Sequence, residues 1–162
     1  MKRSWWILSL VLLASLAVVG TVLASHAPGG VTVTDIQRGT LAEGAKYNHL
    51  GLGDIKVQTK GPVDVVTAQV TFGKNGGSAG WHHHPGPVFV VIRSGTLSVW
   101  DEHCVKTTYS QGSAFFEAGP IHSMLVKNES TASDATVYAT FIVPVGATPL
   151  TVTDPHLCGI AG

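Results

Sequence analysis

Three adjacent histidines, His82, His83 and His84, follow a glycine-rich turn, Asn75-Gly76-Gly77-Ser78-Ala79-Gly80. In an extended chain successive side chains alternate faces, so His82 and His84 share one face and His83 points the other way. Two imidazoles so placed can hold one metal ion. A further donor must come from elsewhere, and His122 is available. It ends the turn Glu117-Ala118-Gly119-Pro120-Ile121 and precedes the apolar run Ser123-Met124-Leu125-Val126. Glu117 is a weaker candidate, as a ligand or as a catalytic acid or base. On a regular strand its distance from His122 would put the two on opposite faces, but the Ala118-Gly119-Pro120 turn breaks that parity. The ion expected is a divalent transition metal (Fe, Zn, Ni, Cu or Mn), because imidazole does not suit Mg or Ca. His26, His49, His103 and His156 lack ligand spacing, and His83 should be exposed or beside the site.

Short strands must carry these residues. Val31–Ile36 reads as a first strand, followed by a loop through Gly44. Asp54–Thr59 and Val63–Phe72 are further strands, the second entering the core. Residues 73–80 read as the loop that delivers the histidines. The β-branched run Val88-Phe89-Val90-Val91-Ile92 stops at Ser94-Gly95, a turn signal that predicts a tight hairpin with Thr96–Trp100. Val105–Tyr109, Ala114–Phe116, Ile121–Val126 and Thr136–Val143 complete the set. Residues 128–134 are polar and read as a hairpin loop. Residues 144–162 have no period and read as a surface tail. Nineteen glycines and eight prolines punctuate the chain. No 3.6-residue period survives beyond the N-terminus, so the class is all-β, a sandwich or closed barrel.

Residues 1–27 read as a signal peptide: Lys2 and Arg3, an apolar run from Trp5 to Leu23, then small residues and Pro28-Gly29-Gly30. The run is long enough to span a bilayer, so an uncleaved anchor is the alternative. Residues 28–162 form one domain, with enough chain for a real core. Without Lys2 and Arg3, eight basic residues face ten acidic ones. That balance is no footprint for nucleic acid, nor for a membrane once the signal is removed. An exported chain with two cysteines has one intramolecular pairing, Cys104–Cys158, worth roughly 2–4 kcal/mol by loop closure. Two free thiols, one joining the metal site, are the alternative. Asn128-Glu129-Ser130 fits a glycosylation sequon, a short pattern often matched by chance.

The histidine stretch and the second turn together resemble the two motifs of the cupin family. His82, His84 and Gly95 match the first motif, and Val88 occupies the position of its glutamate. Gly119 and His122 match the second motif, where Glu117 replaces the proline and Asn128 lies two residues late. The resemblance runs from about Val63 to Val143. It implies a single-domain double-stranded β-helix, the jelly-roll cupin barrel, with metal held by His82, His84 and His122. A missing carboxylate departs from the 2-His-1-carboxylate set of non-haem Fe(II) oxygenases. The resemblance implies either an exported metal-dependent enzyme of dioxygenase type acting on a small molecule, or a non-catalytic metal- or small-ligand-binding module. Sugar isomerase or epimerase chemistry ranks lower, since it usually wants a His–Asp pair and no metal. A small-molecule ligand is the expected partner, and a homodimer stays open.

Overall fold

The computed structural model describes residues 30–48, 55–152 and 157–161. Residues 1–29, and with them the signal-peptide reading and His26, lie outside this range, as do His49 and His156. Twelve strands occur among the described residues: β1 Val31–Leu41, β2 Lys46–Asn48, β3 Lys56–Gln58, β4 Val63–Phe72, β5 Ser78–His83, β6 Val88–Ser94, β7 Thr96–Trp100, β8 Lys106–Ser110, β9 Ala114–Glu117, β10 Met124–Lys127, β11 Ala135–Pro144 and β12 Thr151–Val152. A single 3-10 turn spans Leu157–Gly159. No helix among these residues is long and apolar enough to cross a membrane.

Two five-stranded antiparallel sheets form the body. One runs β1-β4-β11-β6-β9 and the other β12-β5-β10-β7-β8, while β2 and β3 make a separate ribbon. Consecutive strands fall in opposite sheets at β4–β5, β5–β6, β6–β7, β8–β9, β9–β10, β10–β11 and β11–β12. A chain that winds back and forth between two facing sheets is the double-stranded β-helix, or jelly roll.

Alternation explains the core. On β6, Val88, Val90 and Ile92 are buried while Phe89 and Val91 are exposed. On β4 and β11, Phe72, Ala135, Val137 and Ala139 join them, and Leu97, Val99, Phe115 and Val126 complete the packed interior. Fully burying one such aliphatic or aromatic side chain is worth about 1.5–3 kcal/mol. The fold therefore has its own apolar driving force.

The middle strands of the second sheet, β5, β10 and β7, are buried on both faces. Leu125 pairs with Trp81 on one side and Trp100 on the other. This row faces away from the main core. The chain end covers it, with Leu157, Cys158 and Ile160 packed against the two tryptophans and the leucine. The residues read as an aperiodic tail therefore supply both a strand, β12, and a lid on an apolar row. Double coverage is why β5, β7 and β10 read as nearly continuous burial.

Several boundaries differ from the sequence reading. β1 continues to Leu41, with a register shift between Thr34 and Gln37 and Asp35 at φ 51°. β5 starts at Ser78, inside the expected loop. β10 starts at Met124, later than Ile121. The Ser94-Gly95 turn does not close a hairpin, because β6 and β7 lie in different sheets. Gly95 has φ 77°, and a Cβ there would come 2.7 Å from the Ala135 Cα. The left-handed corner at Gly95 passes the chain from one sheet to the other.

Candidate metal centre

His82 lies near the end of β5 and His84 directly follows its last residue, His83, and both are buried on the inner side, as period-2 alternation requires. They are 3% and 4% exposed, while His83 between them is half-buried. Their rings lie nearly perpendicular, with centroids 4.8 Å apart, and His84 also packs edge-on against Phe141 at 5.2 Å.

The third member of the cluster is Glu117, the last residue of β9. One donor atom each from His82, His84 and Glu117 lies within 4.8 Å of the others, and all three residues are buried. Glu117 Oε2 is 2.6 Å from His84 Nε2 and 3.8 Å from His82 Nε2. The register explains its place. β6 pairs with β9 so that Val88 lies opposite Glu117. Residues directly opposite in an antiparallel pair point to the same face. The carboxylate thus comes from the neighbouring strand, opposite the very position where the motif expects a glutamate and this chain has valine.

His122 is not in this cluster. It lies in the connection between β9 and β10, and its Nδ1 is 2.8 Å from Glu102 Oε1, with a side chain 46% exposed. The expectation that His122 supplies the third donor assumed a strand already running at that residue. The turn instead extends through Ser123, with His122 N–H donating to the Gly119 carbonyl. Off the ladder, the ring is free to turn toward the β7–β8 connection. His103 is also there, 3.7 Å from Glu102 and mostly exposed.

Two backbone carbonyls set the tautomers of the paired histidines. His82 Nδ1 lies 2.7 Å from the Gly80 carbonyl, and His84 Nδ1 contacts the Pro149 carbonyl. A carbonyl only accepts, so each Nδ1 carries the proton. In the neutral rings both Nε2 lone pairs then face a carboxylate. This is why Glu117 Oε2 lacks a hydrogen-bond donor despite its short contact with His84. Three buried acceptor atoms converge, and only a cation between them, or protons on the rings, resolves their repulsion. Burial works against the His82 imidazolium, but the facing Glu117 carboxylate outweighs it and moves the His82 pKa upward. Burial would raise the Glu117 pKa, yet His82 and His84 hold it below the usual carboxylate range. Carbonyl-anchored imidazoles are the usual form of histidine metal ligands, so the residues fit a transition-metal ion.

Glycines allow the close approach of the turns around the site. A Cβ on Gly86 would sit 2.0 Å from the Ile142 carbonyl oxygen, and one on Gly119 would sit 3.2 Å from the Gly86 carbonyl carbon. The corner after His84 and the turn after Glu117 therefore pack backbone to backbone.

The disulfide expected from the cysteine count is present, Cys104–Cys158, with Cα atoms 5.6 Å apart. The sequon is closed off instead. Asn128 is fully buried and its amide donates to the carbonyls of Phe72 and Ser133. The Gly80 and Pro149 carbonyls and the Trp81 anchor were not legible as functional positions, because backbone acceptors leave no residue-type signal.

No protein-family model matches the sequence, and no curated protein matches it. Solved structures do. A cupin-like protein from Thermotoga maritima is 12% identical, with a TM-score of 0.47, over 55% of this chain and 64% of its own. A structure of DMSP lyases gives the same identity and score over 59% of this chain and 46% of that one. A cupin from Methanocaldococcus jannaschii described as a double-stranded β-helix is 12% identical, with a TM-score of 0.44, over 63% and 82%. The chain is similar to the cupins. It spans less than two thirds of the length of the first two of these structures.

Proposed function

We propose that the protein binds one divalent transition metal through His82, His84 and Glu117 and presents it to a small molecule. The observation that carries this reading is the pair of carbonyl-anchored imidazoles turning both Nε2 atoms onto a buried carboxylate oxygen that has no hydrogen-bond donor. Two imidazoles and one carboxylate are the donor set of non-haem Fe(II) oxygenases, which leaves coordination positions open for substrate and oxygen. When bound, such an ion supplies Lewis-acid or redox chemistry. The chain's own contribution is to fix three donors, exclude water with Phe141 and the apolar core, and hold both proton positions away from the ion. The disulfide supports a place outside the reducing cytosol, consistent with the charged and apolar N-terminus.

Elemental analysis of tag-free protein, followed by Fe(II) and Zn(II) titration, tests the metal. A stoichiometry near one per chain supports the reading, and none in either measurement ends it. Oxygen uptake by the Fe(II)-loaded protein with a panel of thiols and small organic acids separates catalysis from binding. Metal without uptake favours the non-catalytic binding module.

A further inference from the structure

The C-terminal segment touches the metal-binding strand at several separate points. The Pro149 carbonyl holds His84 Nδ1. β12 pairs with β5 through Thr151 opposite His83 and Val152 opposite His82. The Trp81 indole N–H donates to the Ile160 carbonyl at 2.9 Å, and Trp81 is the residue before His82. Leu157, Cys158 and Ile160 close over the Trp81–Leu125–Trp100 row. Both faces of β5 are thus engaged, histidines inside and tryptophan outside, and the chain end takes part on each.

The covalent anchor of that end is the Cys104–Cys158 bridge, joined to the connection between β7 and β8. Both half-cystines hold left-handed backbone, φ 65° at Cys104 and 62° at Cys158. A side-chain-bearing residue seldom adopts that region.

We propose that the Cys104–Cys158 bridge is a redox latch on the metal centre. Closed, it holds residues 157–161 on the outer face of β5, where the Ile160 carbonyl takes the Trp81 indole N–H beside His82. Open, those residues lift and the strand that carries His82 loses its outer cover. The step is a two-electron reduction. A dithiol delivers two electrons and two protons, the Sγ–Sγ bond breaks, Cys104 and Cys158 become thiols, and the dithiol leaves as its own disulfide. The inference rests on the metal reading above. It adds that metal affinity depends on a bond remote in sequence from every ligand. A bridge serving stability alone would leave affinity untouched.

Cobalt(II) is the probe, because its visible absorption reports ligand geometry as well as occupancy. The full chain with the bridge closed is titrated beside Cys104→Ser/Cys158→Ser, with far-UV circular dichroism on both. The variant is expected to bind cobalt(II) about 10- to 100-fold more weakly, the range for losing the outer support of a metal ligand, and its absorption bands are expected to move. Equal affinity and an unchanged spectrum at native β content overturn the latch and leave the metal reading intact. No cobalt(II) binding by the closed wild type overturns the metal reading and the latch with it. A second measurement does not require the variant to fold. Coupling is reciprocal, so bound cobalt(II) should slow opening of the wild-type bridge by a phosphine reductant, read by thiol alkylation and intact mass. Equal rates with and without cobalt(II), at confirmed metal loading, overturn the latch.

Discussion

Glu117 sits directly across the β6–β9 ladder from Val88, and its carboxylate turns inward to within 2.6 Å of His84 Nε2. Moving the carboxylate one strand sideways keeps the donor set inside the barrel while the β6 position becomes part of the apolar core. Removing that donor should therefore cost metal without costing the fold. Glu117→Gln is expected to lower metal affinity by at least about 10-fold, since even ligand-orienting groups are worth that much. His122→Ala is expected to leave metal content near the wild-type level, because its ring is half exposed and held by Glu102. Elemental analysis of both variants, with circular dichroism as the folding control, checks the pair. Loss of metal in His122→Ala with retention in Glu117→Gln would require the site to be rebuilt around the second turn.

Trp81 is fully buried under the chain end, next to His82. Trp81→Ala should destabilise the protein by about 3–5 kcal/mol, as expected for a large aromatic removed from a packed site. The same substitution frees the Ile160 carbonyl, so hydrogen exchange at residues 157–161 should rise together with the loss of stability. A denaturant midpoint within error of wild type would contradict the packing described here.

Asp64 gathers three donors: Arg38 Nη1 at 2.6 Å, Thr40 Oγ1 at 2.6 Å and the Gly146 N–H at 2.9 Å. The Thr40 hydroxyl, then the Gly146 amide and Arg38, hold its pKa at about 2, below the usual 3.8. The unfolded chain binds this proton at higher pH than the folded one. The stabilisation is therefore complete above about pH 4 and is lost as pH falls toward 2. Urea unfolding between pH 5 and pH 2 should show a steep acid limb that becomes shallower in Asp64→Asn. Identical slopes in the two proteins would count against the three-donor arrangement.

Gly86 tolerates no side chain, since its Cβ would collide with the Ile142 carbonyl. Both partners are backbone, so the corner itself must move. Gly86→Ala should cost about 1–3 kcal/mol by overpacking. It should also weaken metal binding, because the corner follows His84 directly. Thermal unfolding and metal titration of the variant give both numbers. A stable variant with wild-type metal affinity would show that the corner is slack.

Period-2 spacing is a local property, and that is why the inward pair His82 and His84 could be read before any fold was known. The turn glycine at Gly95 was legible in the same local way, whereas the run Val88–Ile92 is apolar at every position and only the sheet decided which face is buried. The pairing of Cys104 with Cys158 followed from the count of two. Strand ends were less legible: β1 runs through a bulge, and β5 begins within a glycine-rich segment that looks like loop. Gly95 reads as a hairpin turn from its neighbours alone, yet it changes sheets because β6 finds its partners in β9 and β11.

The amino-acid sequence by itself determined the class, the histidine face and the presence of several candidate donors. Tertiary structure chose among them. Glu117 joins the histidines because the β6–β9 register sets it opposite Val88, a relationship between strands more than twenty residues apart. His122 leaves because its turn runs on to Ser123 and hands the ring to Glu102. The chain end becomes part of the site because an apolar row on the outer face of β5 needed cover. In each case the deciding energy is a contact between segments distant in sequence, which no local pattern records.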